Sequence, residues 1–452
     1  MAGTAVRALG TAVRAVGTAV TAAMGSAGVE REGVAPGRPE PPSRTQRPYM
    51  TKRQAMREPS ARAYGRSLPV VPVRARGLTV EGADGRRYLD CLSGAGMLAL
   101  GHHHPVVLEA VRKVLDSGAP LQPLGLATPV EDAFVAELER CLPTGLAGHA
   151  RVRFCGPSRT DALELAVRLA RAAAARTRAG RDGGGGGGAS GAGDTAGGTG
   201  RTAGSTAGRT ARDDDGEVTV TDAWSCRVPR LTVGRALPLV VDESETGVGR
   251  TGAFWAVEHS GVTPDAMVLA GAIGGGLPLA VVVHRADLDA GDPGTDATGG
   301  VRGNQLAMAA GTATLAHIRE NGLVEHASVL GSRMLARLRE LPERYPHVGA
   351  VRGRGLMIGV ELADPEDDRA EGSPGDEPGS HDRRRRPREL AAAVRRECLR
   401  RGLLVDVGGP EGNVVRLLPP LTVSEEQAAA VLDRLTDAVG AVTPSDAEGS
   451  RW

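Results

Sequence analysis

The sequence predicts an α/β protein: a large domain built on a parallel-rich sheet, followed by a smaller α+β domain. Three observations carry this. LPLVVDE, Leu237 to Glu243, is an unbroken apolar run that ends in acids, as a strand buried on both faces does. VLAGAIGGGLPLAVVV, Val268 to Val283, reads as a strand, a glycine turn and a second apolar run. Segments of helical period are interleaved with such strands, and the C-terminal stretch reads helix, strand, strand, helix around a charged insertion.

The chain opens on a seven-residue repeat, GTAVRAL, GTAVRAV, GTAVTAA, beginning at Gly3, Gly10 and Gly17. Val6, Leu9, Val13, Val16 and Val20 would share a helical face, but each interior glycine costs a helix about 1 kcal/mol. A Pro/Arg-rich stretch follows, so residues 1–60 are expected to be a disordered leader and not a targeting helix. Residues 61–110 supply N-terminal hairpin and helix elements: LPVVPVRARGLTVEGADGRRYLD alternates apolar and polar positions around the Asp84-Gly85 turn. A helix is predicted from about Pro105, with Val106, Leu108 and Val111 inward, and VEDAFVAELERCLP gives a second.

Residues 111–179 form the first part of the large domain, closing with the strand RVRF and a long helix from about Thr160. Residues 180–221 are a glycine-rich insertion with too little side chain to offset the cost of ordering. The large domain resumes over 222–335, the small domain covers 336–442 with a charged loop at 364–387, and 443–452 is a tail.

Of the 452 residues, 41% are apolar, and the formal net charge of +1 offers no overall field for nucleic acid. The basic run Arg383 to Arg386 follows an acidic Pro/Gly-rich patch, Pro365 to Glu377, and reads as a solvated loop. Cys91, Cys141, Cys155, Cys226 and Cys398 lack metal-ligand spacing and suit a reducing compartment; with no membrane-type run, a cytoplasmic protein is the expectation. Basic charge is almost wholly arginine, the lysines being Lys52 and Lys113 alone.

Five places carry possible chemistry. GPSRTDA, Gly156 to Ala162, joins strand to helix, where free N–H groups can hold a phosphate; Ser158 or Thr160 is equally explained as an N-cap. Asp242 ends the buried strand and could keep a cofactor's ring nitrogen protonated, or simply pair with an arginine or cap a helix. The glycine-rich loop SETGVGRTG, Ser244 to Gly252, lines the crevice at the strand ends or serves as a connection. In RGNQ, Asn304 reads as a helix cap and Arg302 as a possible anion contact; Arg416, in VVRLLPPL, could clamp a carboxylate or pair at a surface. His102, His103 and His104 look metal-like, but adjacent residues point in different directions and no partner stands at ligand spacing, so no metal is expected.

Taken together, YGRSLPVVPVRARG, GHHHPVVLEAV, FCGPSRTDA, VVDESETGVGRTG, AIGGGLPLAVVV, RGNQLAMAAG, VRGRGLMIGVEL and VVRLLPPL resemble the class III, fold-type I aminotransferases that use pyridoxal phosphate. Within that family the sequence is most similar to the diaminobutyrate 2-oxoglutarate aminotransferases, over about Tyr64 to Ala175 and Asp222 to Asp433. The resemblance implies a fold-type I sheet domain with its central part truncated, a homodimer, and a small amino acid and a 2-oxo acid as substrates. It implies phosphate contacts from Ser158, Arg159 and Thr160, and places Gly300 where the family's threonine reaches the phosphate of the partner subunit, so that one cross-subunit donor is lost. It gives Asp242 the ring nitrogen, Glu245 the ring hydroxyl and Arg416 the substrate carboxylate.

The departures are specific. The residue before AIGGG is the family's Schiff-base lysine, and here it is Gly271, which has neither amine nor base. Arg159 replaces a glycine of the phosphate turn, Ser244 a branched apolar residue, Glu245 a glutamine and Gly300 a threonine. No aromatic residue lies between Phe154 and Trp224, where the family covers the cofactor ring. The expectation is therefore a transaminase-like protein without catalysis. An active enzyme moving the terminal amino group of 2,4-diaminobutyrate to 2-oxoglutarate, and a scaffold or regulatory partner of a genuine aminotransferase, are the alternatives.

Overall fold

The computed structural model describes residues 70–121, 126–182, 211–213, 216–219, 238–289, 304–364 and 385–442. The expected leader over 1–60, the tail over 443–452, Lys52, Trp224, Cys226, Gly300 and Arg302 lie outside the described residues, as does nearly all of the loop 364–387.

The central sheet is explained by its burial. Strands β4 (Ala150–Phe154), β5 (Ala211–Asp213), β6 (Gly216–Thr219), β7 (Val240–Asp242), β8 (Ala266–Ala270) and β9 (Ala280–Arg285) run in the order β4-β9-β8-β7-β6-β5. Val240, Ala266, Val268, Ala280 and Val282 pack with Ala162, Leu165, Ala166 and Leu169 of helix α3 (Arg159–Asp182). Their strand neighbours Val241, Met267, Leu269, Val281 and Val283 point the other way. There they join Phe134 and Leu138 of α2 (Pro129–Cys141), and Met308 and Leu315 of α4 (Gln305–Glu320). With helices on both faces, alternate positions of each strand are equally buried, which is why the sequence shows continuous apolar runs. Each fully buried aliphatic side chain contributes about 1.5–3 kcal/mol.

The sheet is mixed. β6, β7 and β8 are parallel, while β9 runs antiparallel to β8 and β4 antiparallel to β9. β5 and β6 come from the stretch 180–221, which the composition assigns to an insertion; Val218 and Thr219 pair with Val240 and Val241. Their few β-branched residues are outnumbered by the surrounding glycine, so a window over the whole stretch hides them. α3 likewise continues to Asp182, beyond the expected end near residue 179.

The N-terminal sheet consists of β1 (Pro72–Arg76), β2 (Thr79–Gly82) and β3 (Arg87–Asp90), closed by β12 (Leu403–Leu404). The Asp84-Gly85 turn falls between β2 and β3, which pair Val80 with Tyr88. Helix α1 (Pro105–Asp116) follows, with Val114 its buried residue; Val106, Leu108 and Val111 are half-buried.

The C-terminal sheet, ordered β10-β11-β14-β13, is antiparallel throughout: β10 (Val348–Arg354), β11 (Met357–Leu362), β13 (Asp406–Gly408) and β14 (Val414–Leu417). Helices α5 (Leu323–Leu338), α6 (Leu341–Arg344), α7 (Arg385–Arg400) and α8 (Glu425–Val442) complete this part. Met334 and Leu338 before the sheet, Ile358 and Val415 within it, and Phe134 of the large part belong to one continuous hydrophobic cluster.

Candidate functional site

Two strand ends create the site. β7 and β8 are parallel and in register, Asp242 opposite Val268, so their carboxyl ends open side by side into the crevice. Asp242 closes β7 and is 2% exposed. Gly271 follows β8 at the start of a short 3-10 turn, Gly271–Gly274, which leads back into β9. Its N–H donates to Leu279 O at 3.2 Å.

Gly271 has φ +71°, a region L side chains rarely adopt. A Cβ there would stand 2.9 Å from Met97 Cγ and 3.8 Å from Ser244 O. The position thus looks towards the loop after Asp242, with Met97 against it.

The charges around Asp242 come from distant parts of the chain. Arg159, the first residue of α3, donates through Nε to Asp242 Oδ2 at 2.5 Å, and its Nη1 lies 4.0 Å from Glu245 Oε1. The Ser244 N–H donates to Asp242 Oδ1 at 3.0 Å. Burial draws the Arg159 value down, but the carboxylates of Asp242 and Glu245 push it up, and the net direction is upward. On the far side of Glu245, Arg416 donates from Nη2 to Glu245 Oε2 at 2.9 Å and from Nη1 to Asp406 Oδ2 at 3.4 Å. Arg416 is fully buried; it faces Asp406 across the β13–β14 ladder. The chain Asp242, Arg159, Glu245, Arg416, Asp406 therefore alternates in sign.

The phosphate-turn residues have local partners. Ser158 Oγ donates to Asp161 Oδ2 at 2.7 Å, the Ser158 N–H reaches the same oxygen at 3.2 Å, and Asp161 N–H donates back to Ser158 Oγ at 3.2 Å. This is a reciprocal helix cap. Thr160 is exposed one residue into the helix. Of the sequence-derived positions, Arg159, Asp242, Glu245 and Arg416 are linked in one network, and Gly271 borders the same loop.

Three residues of the site were not singled out by sequence. Glu243, adjacent to Asp242 and 2% exposed, accepts from Thr246 Oγ1 at 2.5 Å, Ala256 N at 3.0 Å and Val257 N at 2.7 Å. It fastens the glycine-rich loop to the turn that follows. Burial pushes its carboxyl up to about 7, against the lowering effect of these hydrogen bonds. Asp406 carried only the hint of an acid on a short strand, and Met97 carried no sequence signal.

The remaining candidates are structural. Asn304 accepts from Leu306 and Ala307 N–H at the start of α4. His102 Nε2 meets Asp90 at 2.7 Å, His103 Nδ1 meets Ala75 O at 3.0 Å, and His104 packs on the His317 ring. Burial pushes the Cys141, Cys155 and Cys398 thiols up to about 12. Among the described residues no helix is long and apolar enough to cross a membrane.

Comparison with known proteins agrees with this architecture. The family model described as "Aminotransferase class-III" matches residues 60–183 and 212–439. A "Diaminobutyrate--2-oxoglutarate aminotransferase" of Rhizobium meliloti (strain 1021) is 40% identical, covering 88% of this chain and 93% of its own. One of the same name from Haemophilus influenzae is 34% identical, covering 86% and 95%. The solved Plasmodium falciparum ornithine delta-aminotransferase superposes with a TM-score of 0.65 at 21% identity, over 88% of this chain and 99% of that one. Acetylornithine aminotransferase from Elizabethkingia anophelis gives 0.62 at 22% identity, over 87% and 98%. At such identities these structures speak for the fold alone, that of the fold-type I aminotransferases.

Proposed function

We propose, from the premise that this chain belongs to the class III aminotransferase family, that it is a diaminobutyrate–2-oxoglutarate transaminase-like protein without amino-transfer activity. The observation that carries the reading is Gly271, which borders the Asp242 loop where the family's resemblance calls for a lysine. Transamination needs one side chain there to bond the cofactor and then move a proton, and glycine offers neither group. No lysine follows Lys113 in the sequence, and Lys113 lies on α1, paired with Glu109 at 2.7 Å on an exposed face.

Pyridoxal phosphate, when bound in this family, supplies the electron sink for the reaction. The residues present do not fit it: the amine is missing, and the acid meant for its ring nitrogen is already paired with Arg159. The role we propose in its place is that of a cytoplasmic homodimeric scaffold or regulatory partner of an authentic aminotransferase. The competing reading, an active transaminase acting on a small amino acid and a 2-oxo acid, draws on Asp242, Arg416, the retained family segments and the similarity to named aminotransferases.

The deciding experiment incubates purified protein with pyridoxal phosphate, diaminobutyrate and 2-oxoglutarate, follows glutamate formation, and reduces a parallel sample with borohydride. No turnover and no reduced adduct on the protein are expected. Turnover accompanied by a mapped adduct would overturn the proposal.

A further inference from the structure

A carboxylate as deeply buried as that of Asp242 needs a counter-charge, because an unpaired buried ion is expensive. The fold provides one from its own first helical turn. Arg159 Nε stands 2.5 Å from Asp242 Oδ2, 83 residues away in sequence, and Ser244 N–H takes the other oxygen. At that separation nothing fits between the guanidinium and the carboxylate. The nearby turn is occupied in the same manner, since the Ser158 N–H and hydroxyl both address Asp161. The strand-end acid and the helix-start donors are thus both satisfied by groups of this chain.

We infer that Arg159 is a built-in counter-ion for Asp242, occupying the place that a cationic heteroaromatic ring would need and thereby making the fold complete without pyridoxal phosphate and closed to it. The inference rests on the family assignment of Asp242 but not on Gly271. It concerns whether the ring is admitted at all, a question separate from whether an admitted ring could react. The guanidinium is well suited to the role: it keeps its charge under all physiological conditions and donates along a fixed plane. Its side chain is 38% exposed while that of Asp242 is 2% exposed, so the pair meets solvent on the Arg159 side.

The test uses 4-deoxypyridoxine 5′-phosphate, a ring-and-phosphate probe with no aldehyde to react with stray amines. Binding to the full-length protein is read by equilibrium dialysis and by the shift in melting temperature. Wild type is expected to retain no probe and to melt at the same temperature with or without it. Arg159→Gly should melt lower, bind the probe at least about tenfold more tightly than wild type, and recover part of its lost melting temperature when probe is added. Arg159→Lys, which keeps a cation near Asp242, should behave as wild type does.

Probe binding by wild type equal to that of Arg159→Gly overturns the inference. So does an Arg159→Gly protein as stable as wild type that takes up no probe. Should Arg159→Gly fail to fold, the double variant Arg159→Gly/Asp242→Asn decides: recovery of folding supports the pairing, and continued failure refutes it. Because the probe cannot support turnover, none of these results depends on the outcome of the amino-transfer assay.

Discussion

Arg416 offers the sharpest test of the charge network. It is fully buried and holds Glu245 at 2.9 Å and Asp406 at 3.4 Å. Replacing it by alanine removes the guanidinium that joins the two carboxylates. Breaking a buried ion pair from one side costs about 3–5 kcal/mol, whereas exposed pairs contribute about 0.2–1 kcal/mol. Glu245 and Asp406 are 16% and 28% exposed, so water relieves part of the cost, and Arg159 remains 4.0 Å from Glu245. A loss of about 3 kcal/mol is therefore expected. Glu245→Gln alone should cost less, because Arg416 keeps Asp406. The double variant should fall short of the sum of the single losses by about 1–2 kcal/mol. Urea unfolding at fixed pH, with the slope checked for constancy, measures all four proteins. Strict additivity, or an Arg416→Ala protein within about 0.5 kcal/mol of wild type, would refute the network as a stabilising unit.

Two other outcomes follow from the same site. Gly271→Lys restores an amine but places a side chain at φ +71°, so it should cost about 1–2 kcal/mol; with Asp242 still held by Arg159, borohydride should trap no adduct at residue 271, and a strong adduct in this single variant would count against the pairing. Glu243, pushed up to about 7 from an ordinary 4.5, favours its neutral form in the folded protein. Its contribution is fully present below the unfolded value and is lost as pH rises through the folded one. On raising pH from about 4.5 to 7, wild type should lose up to about 3 kcal/mol that Glu243→Gln keeps; denaturation curves whose difference between the two proteins stays constant with pH would contradict this.

Much of the framework is legible in local sequence because local rules act there. A strand buried on both faces must be apolar at every position, and Leu237 to Glu243 announces β7 for that reason. The Asp84-Gly85 turn sets the β2–β3 register, and Ser158 with Asp161 caps α3 as a neighbouring serine and acid commonly do. Asp242 at its strand end, Arg159 at its helix start, Glu245, Gly271 and Arg416 are legible too, whereas Glu243, Asp406 and Met97 are not. Their partnerships are not. Arg159 finds Asp242 across 83 residues, and Arg416 finds Glu245 across 171. No periodicity encodes which of many arginines will reach which acid; only the assembled sheet brings them within reach. Glu243 and Asp242 sit side by side in sequence, yet strand alternation sends one to the loop anchor and the other to the crevice.

The closure of the N-terminal sheet imposes an order on folding. β3 pairs in parallel with β12, Leu89 opposite Leu403 and Asp90 opposite Leu404, and Arg86 donates to Arg400 O at 2.6 Å. During synthesis the hairpin β2–β3 emerges early, but the strand that covers its outer edge is made more than three hundred residues later, the Arg86–Arg400 separation alone being 314. Until then β3 is an open edge, able to pair with other chains. Contacts of such sequence distance form slowly and late. A ribosome stalled before residue 403 would therefore release a chain with its first sheet unfinished, exposed to aggregation and to the quality-control machinery, however well its central sheet had formed.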